Sequence, residues 1–329
     1  MADGPTSDAD AVRVAGDAGR GRAARGAAMS GRALRVLFVN SGILGHASVA
    51  RLLRDAAARI PGIEAEHADL SEPLSPGERV LRKAICARPL AALGFRRTNL
   101  DLARWRHELH AGLVARRRIA RAERAGGRFD VLHFHTQATA YASLGRMRAT
   151  PSVVSIDITQ RLASLEAPAG VERATFAANA RHDAAVFRAA RAIVSTSRWA
   201  ADDLAAGLPE CAGRLAVLPY PVPLERFGTG WAAERHARAA AGPVRVLFLG
   251  GDWPRKGGPA LLRAWAACAF GDAAALTLVT DWPLDAATIP AGVSVVRGVR
   301  AYSPAWTAAW RDADVFCMPT TGEAFGMVF

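Results

Sequence analysis

The chain runs to 329 residues, half of them apolar, enough for two domains with proper cores; it carries a net charge of +12, and every basic residue is arginine except Lys83 and Lys256. No apolar run approaches the ~18–20 residues of a membrane span, and the first residues hold no apolar signal core, so a cytoplasmic protein is expected. Cys86, Cys211, Cys268 and Cys317 stand far apart, with no Cys-x-x-Cys pair and no histidine at ligand spacing, which excludes a disulfide framework or zinc site and leaves small core residues in a reduced compartment.

Residues 1–32 lack periodicity and bulky apolar side chains and are expected to form a disordered extension, with Met29 a candidate start. Residues 34–39 read as a buried parallel strand. It ends in Asn40-Ser41-Gly42-Ile43-Leu44-Gly45-His46, and a helix with Val49, Leu52, Leu53 and Ala56 at its apolar positions follows. Strand, glycine-bearing loop and helix form the first unit of a Rossmann-like fold. The loop is not G-x-G-x-x-G and no ribose-binding acid follows a second strand, so a dinucleotide site is weakly supported. Residues 63–67 read as that second strand. From 76 to 125 the pattern turns helical and basic, with Val80, Leu81, Ile85, Leu102, Trp105, Leu109, Leu113 and Val114 spaced to bury one face and leave arginine on the other. Between Arg79 and Arg128 fourteen basic residues meet only Asp101, Glu108 and Glu123, a local charge of +11. A solvated helix face is one reading of this segment. Contact with an anionic membrane surface or an acidic substrate is the other, which would place the protein peripherally at the inner face of the membrane.

Val131–His135 is a strand whose two histidines, His133 and His135, project to the same face. His135, nearer the strand's carboxyl end, is the site candidate; a hydrogen-bonded core histidine is the alternative. A strand at 152–156 closes on Asp157, residues 171–190 read as an Ala-rich helix, 192–195 as a strand, Ser197 as a helix start and 215–218 as a last strand. Three prolines among residues 219–223, then Gly228 and Gly230, mark a boundary. Residues 33–218 therefore read as an N-terminal Rossmann-like domain, 219–243 as a linker and 244–329 as a second such domain. Within it a strand at 244–249 runs into Gly250-Gly251-Asp252-Trp253-Pro254-Arg255-Lys256-Gly257-Gly258 and a helix with Leu261, Leu262 and Trp265. Strands follow at 276–279 and 293–296, Ser303-Pro304 caps a helix, and a strand at 315–318 is stopped by Pro319. The expected class is α/β, two doubly wound domains facing across a cleft, the second incomplete.

Two loops of that second domain carry the chemistry. Arg255 and Lys256 stand between glycines at the carboxyl end of a strand, where close backbone approach and paired cations suit a diphosphate. Thr320-Thr321-Gly322-Glu323-Ala324-Phe325-Gly326-Met327 lies at the same edge and offers a carboxylate and the start of a helix. A carboxylate beside a diphosphate would repel it, so Glu323 is expected to face hydroxyl groups, as of a sugar. An anion pocket beside a hydroxyl acceptor describes a nucleotide-sugar site.

At these residues the chain resembles the GT-B glycosyltransferases of family 4. The resemblance rests on Gly250-Gly251-x-x-Pro254-Arg255-Lys256-Gly257 and Pro319-Thr320-x-Gly322-Glu323-Ala324-Phe325-Gly326. It extends in family order to the segments 41–46, 130–135, 195–199 and 218–227. It implies retaining, metal-independent transfer from a nucleotide diphosphate sugar to a glycan, lipid or small-molecule acceptor, with neither cofactor nor nucleic-acid partner. By the same resemblance Arg255 and Lys256 stabilise the leaving diphosphate and Glu323 binds the donor sugar. Gly250 and Gly251 belong to the donor site, backbone N–H groups around Phe325, Gly326 and Met327 cap phosphate, Gly42 lets the first loop approach, and His135 lines the acceptor side. Where the family has Asn-Gly after the first domain's last strand, this chain has Tyr220-Pro221, and Asp157 falls where His or Asp is common. The family motif continues to a ribose-binding acid two positions past Phe329, so the resemblance also implies a second domain cut within its site motif, with little or no activity from these 329 residues. The rival classes are a basic protein binding nucleic acid or an anionic surface, and an inactive glycosyltransferase-like fragment.

Overall fold

Strands that are apolar on both faces have to be covered by helices on both faces, and helical crossovers make neighbouring strands parallel. The computed structural model, which describes residues 32–42, 45–88, 99–167, 169–222, 224, 227–239 and 242–326, obeys that rule throughout. Its first sheet has six strands, β1 (Leu34–Asn40), β2 (Ile63–Asp69), β3 (Val131–His135), β4 (Ser152–Ile156), β5 (Ala192–Ser195) and β6 (Leu215–Val217), in the order β2-β1-β3-β4-β5-β6. The second has four, β7 (Val244–Leu249), β8 (Ala274–Val279), β9 (Val293–Val296) and β10 (Val315–Phe316), in the order β10-β7-β8-β9. All eight pairings are parallel. The expected α/β class with two parallel sheets is the one the chain adopts.

The order of each sheet reverses once, between β1 and β3 in the first and between β7 and β10 in the second. Successive crossovers leave such a point in opposite directions, so a crevice opens at the strands' carboxyl ends. Register brings Asn40 level with His135, so the loops after β1 and β3 start side by side. The core beneath the first crevice is made by Leu37, Val39, Leu132, Phe134, Ile156 and Ile193 against Ile119 and Phe187 of the covering helices. Phe248, Leu276 and Leu278 do the same in the second sheet, under Trp253, Leu261 and Trp265.

Helix starts follow the expected caps: Ser197 Oγ accepts from the Ala200 N–H at 3.3 Å, and Ser303 Oγ from the Trp306 N–H at 3.2 Å. Five expectations change. The stretch 171–190 is two helices, Val171–Ala174 and Ala177–Ala189, because the turn at Thr175 and Phe176 interrupts it. Val80 is 68 % exposed. At 100° per residue it lies opposite the buried Glu78 on the helix Pro76–Ile85, beside Arg79 and Lys83. The 219–243 stretch contains a helix, Trp231–Ala239, fixed to the second sheet's covering helix Pro304–Asp312 by Arg311–Glu234 at 2.8 Å and by Phe227 against Trp306. The closing strand ends at Phe316, and no helix opens by Gly326, whose φ of +69° turns the chain. Cys268 is exposed, not a core residue. The 1–31 stretch with Met29, together with Ile43, Leu44 and Met327, lies outside the described residues. Among the described residues no helix is long and apolar enough to cross a membrane.

A buried polar network ties the helix Ala103–Gly126 to Ala177–Ala189. The Tyr141 hydroxyl lies 2.6 Å from Asp183 Oδ1 and 3.0 Å from Glu108 Oε2, while Gln137 and Asn179 donate to Asp183 and Glu108. One hydroxyl proton cannot serve two carboxylates. Burial and the neighbouring Glu108 push Asp183 up to about 8, so a carboxylic proton completes the network at neutral pH. The unfolded chain releases that proton above about pH 4. The stability it contributes is therefore complete below about pH 4 and is lost as pH rises through 8. Asp183→Asn keeps the shape and removes the ionisation, and thermal unfolding followed between about pH 5 and pH 9 is expected to show a flatter profile for the variant than for the native chain. Parallel profiles would mean that Asp183 is ionised in the folded protein.

Candidate functional site

At the reversal of the second sheet, two loops close on each other. Gly257 takes φ +78°, and a Cβ there would overlap the carbonyl oxygen of Pro319, so the loop after β7 and the loop after β10 touch only because this residue is glycine. The Arg255 carbonyl accepts from the Thr321 N–H at 2.9 Å and from the Thr320 hydroxyl at 3.1 Å. Arg255 Nη1 in turn donates to the Gly322 carbonyl at 2.7 Å. This lacing brings Glu323 onto the two cations: Oε1 accepts from Arg255 Nη1 at 2.7 Å and from Lys256 Nζ. Asp252 holds the other side of the guanidinium, 2.8 Å from Nε. Burial opposes ionisation of Glu323, but the hydrogen bonds from Lys256 and Arg255 outweigh it and hold the carboxyl below its ordinary range. The same carboxylates keep Arg255 above its usual value against the effect of burial. With no anion present, the expected sugar-facing acid and the expected diphosphate-facing cations neutralise one another.

The crevice of the first sheet is built differently. Ser41 Oγ lies 2.7 Å from His46 Nδ1, and His46 Nε2 lies 3.1 Å from Asp157 Oδ2. Burial raises the Asp157 carboxyl, yet the hydrogen bond from His46 outweighs it and holds the group below its ordinary value. An ionised carboxylate only accepts, so Nε2 carries the proton and, in the neutral ring, Nδ1 accepts from Ser41. His135 lies behind this chain at 1 % exposure, its ring 4.8 Å from that of His46 and its Nε2 3.0 Å from the Tyr220 hydroxyl. Desolvation, reinforced by His46 and His133, drives His135 down to about 3, so it is neutral. His133 meets the alternative expectation for these histidines: it is buried against Ser155 Oγ at 2.6 Å and held at about 4 by desolvation. Both rings line one cavity of about 370 Å³ that Tyr220 and Pro221 close. Gly42, at φ +69°, packs on Ser71, 2.6 Å from where a Cβ would lie, so its glycine has a reason within the first domain itself.

Tyr220 joins the two crevices. Its ring stands edge-on to His135 and edge-on to Phe325, with centroids 5.6 and 5.2 Å away. A line of rings thus runs from His46 through His135 and Tyr220 to Phe325 of the second sheet's loop. On the same side Gly322 approaches the Glu166 carboxylate, 3.2 Å from where a Cβ would lie.

Of the residues singled out from the sequence, Arg255, Lys256, Glu323, Gly250, Gly251, Phe325 and Gly326 come together at one sheet edge, with Gly250 packed on the Lys256 side chain. His135 and Gly42 belong to the other crevice. The sequence marks neither His46 nor Tyr220 as a functional group, and Asp157 only as standing where His or Asp is common in the resembled family. Asp157 directly follows β4 as His135 ends β3, and that placement at adjacent strand ends is the available signal. The Asp312-Ala313-Asp314 run is engaged with backbone, Asp314 Oδ2 accepting from the Arg245 N–H at 2.8 Å. Among the described residues no group of three or more His, Cys, Asp or Glu side chains is placed to hold a metal ion.

No protein-family model and no curated protein matches the chain. Solved structures do. A sucrose-phosphate synthase from Thermosynechococcus elongatus matches with a TM-score of 0.56 at 16 % identity, over 90 % of this chain and 77 % of that one. HepE of Anabaena, in complex with UDP and glucose, matches with a TM-score of 0.52 at 14 % identity, over 88 % and 75 %. The lipopolysaccharide outer core galactosyltransferase WaaB in its apo form matches at 0.52 and 11 %, over 89 % and 76 %. At such identities the likeness is one of fold: two parallel sheets in the GT-B arrangement.

A diphosphate entering the second crevice has to displace Glu323 from the two cations. Glu323→Gln is therefore expected to tighten the binding of inorganic pyrophosphate roughly tenfold, and Lys256→Ala to weaken it at least as much, by isothermal titration calorimetry. Equal affinity in the native chain and Glu323→Gln would show that the carboxylate does not compete.

Proposed function

We propose that this chain is a glycosyltransferase that takes a sugar from a nucleotide diphosphate donor. The observation that carries the reading is the meeting of Glu323 with Arg255 and Lys256 at the reversal point of the second sheet, joined through Tyr220 and Phe325 to a second crevice of neutral, hydrogen-bonding rings. The fold it shares with HepE, a complex with UDP and glucose, supports a nucleoside diphosphate as the occupant. Arg255 and Lys256 receive the diphosphate and stabilise the charge that grows on it as the sugar departs, which is where fixed cations lower the barrier most. Glu323, released from them, turns to the donor sugar's hydroxyls. Gly250, Gly251 and the backbone at Phe325, Gly326 and Met327 cradle phosphate, and the acceptor enters on the side of Gly42 and His135. No metal has a part in this scheme, because the two cations occupy the place where one would serve.

By its resemblance to family 4 the transfer retains anomeric configuration. One observation favours a second reading, inversion by direct displacement. The Ser41–His46–Asp157 chain can take a proton: an acceptor hydroxyl hands its hydrogen to Ser41 Oγ as Ser41 passes its own to His46 Nδ1, and Asp157 stabilises the resulting imidazolium. Beyond the crevice, the helix Pro76–Ile85 exposes Val80 beside Arg79 and Lys83, an arrangement suited to peripheral contact with an anionic membrane that would hold a lipid acceptor.

A panel of UDP-, GDP- and ADP-sugars, with water, sugar and lipid acceptors, tests the reading. Sugar release is expected with one nucleotide, falling by about 10²–10³ in Arg255→Ala or Lys256→Ala. Release from no member of the panel, with pyrophosphate still bound, would leave an inactive glycosyltransferase-like protein as the better description. The anomeric configuration of the product, read by proton NMR, separates the two stereochemical readings. If the product is inverted, His46→Ala is expected to lower kcat by about 10²–10⁴ with little change in KM.

A further inference from the structure

Apart from Arg116, which is exposed on another face, the arginines of the helix Ala103–Gly126 fall into two groups. Arg104 is held on Glu108, Arg106 on Asp101 and Arg118 on Glu72, each at 3.2 Å. Arg117, Arg121 and Arg124 are exposed, and among the described residues they make no ion pair and no side-chain hydrogen bond. Their spacing of four and three residues sets them on one helix face over about 10 Å. Like charges at this spacing repel one another and destabilise the helix. An arginine-rich composition accounts for many arginines but not for three unbalanced ones aligned along a single wall.

That wall borders a groove of about 690 Å³, the size of a small-molecule site. Its opposite side is the loop leading to the helix Pro76–Ile85, and edge strand β2 contributes His67 and Ala68. Two acids line it, and both are engaged. Glu72 faces Arg118, and the buried Glu78 closes a capping box, its Oε2 accepting from the Ser75 N–H at 2.8 Å while Ser75 Oγ accepts from the Glu78 N–H at 3.3 Å. Among the described residues no acid in the groove is left to neutralise the three guanidinium groups.

We propose that this groove is a second anion site, taking a ligand with two or more phosphate groups on Arg117, Arg121 and Arg124. Guanidinium groups suit phosphate because two N–H donors match two oxygens, and an anion some 10 Å long relieves the repulsion along the stripe. The site stands apart from the transfer chemistry and does not depend on it. Its phosphate is carried by a soluble molecule or by a lipid headgroup.

The test uses inorganic tripolyphosphate on the Arg255→Ala/Lys256→Ala chain, in which the other candidate anion site is removed. Tripolyphosphate is expected still to bind by calorimetry at low ionic strength. Adding Arg117→Gln/Arg121→Gln/Arg124→Gln is expected to weaken it by on the order of a hundredfold. A charge-matched control, Arg116→Gln/Arg128→Gln/Arg263→Gln, is expected to stay within about twofold. All these side chains are exposed, so thermal unfolding should remain that of the parent, and single Arg121→Gln gives a milder variant should it not. A parallel arm sediments the same proteins with phosphatidylcholine vesicles that contain or lack phosphatidylinositol 4,5-bisphosphate. Groove-dependent binding to tripolyphosphate supports a soluble ligand, and groove-dependent binding to phosphatidylinositol 4,5-bisphosphate vesicles alone supports a lipid headgroup. If the groove variant behaves as the control does with both probes, or if neither probe binds the parent, the proposal fails.

Discussion

Parallel pairing is the constraint on which the rest of this structure depends. Every strand pair here is parallel, so each connection must cross from one end of a sheet to the other, and the loops that follow the strands collect at a single edge. Where the strand order reverses, the connections lead away in opposite directions and leave a crevice. The first sheet places Gly42 and His135 at such a point, with Asp157 on the next strand end, and the second places Arg255, Lys256 and Glu323 at another. No side chain in either crevice had to be positioned by its own loop alone. Two covered sheets fix the strand ends, and the loops add only short lacing bonds such as that between Thr321 and Arg255.

The two crevices solve the problem of polar groups at a sheet edge in opposite ways. In the second, charges of both signs are kept and paired, so that two cations and one carboxylate remain ionised beside solvent. In the first, burial removes charge: His135 and His133 are neutral, and of this cluster only Asp157, held by His46, keeps a charge opposed by desolvation. The same contrast runs through the interior, where Asp183 escapes the cost of a buried charge by holding its proton. On the proposed reading this division suits the reaction, since charge grows on a departing diphosphate while the acceptor arrives as a neutral hydroxyl.

Arginine composition shows why counting charges does not locate a function. The segment with local charge +11 is not one surface. Arg88 and Arg106 clasp the buried Asp101, and Arg118 ties its helix to the backbone of Asp69. These residues act as tethers, each satisfying several acceptors at once. Among the described arginines left without a partner, Arg117, Arg121 and Arg124 share one wall of a groove, a stripe that stands out only after the tethers are subtracted.

The sequence by itself determined the α/β class, nearly all the strands and the caps at Ser197 and Ser303, because these follow from local patterns: apolar runs, glycine at turns, and a side-chain oxygen three residues before an N–H group. It also marked Arg255, Lys256, Glu323 and His135, since residue type and position at a strand end are both local. It failed where the answer depended on what packs against a residue. Val80 was read as core and is exposed, because helix periodicity fixes which residues share a face but not which face is covered. The linker's helix is held by partners some 70 residues away, Arg311 on Glu234 and Asp314 on Arg238 among them. Tertiary structure alone decided that Glu323 would sit on Arg255 and Lys256, that His46 would bridge Ser41 and Asp157, and that Tyr220 would stand between His135 and Phe325. Apart from the local Ser41–His46 bond, each of these contacts joins residues from different strand ends, and their distances are set by sheet order and register, which no single stretch of the chain encodes.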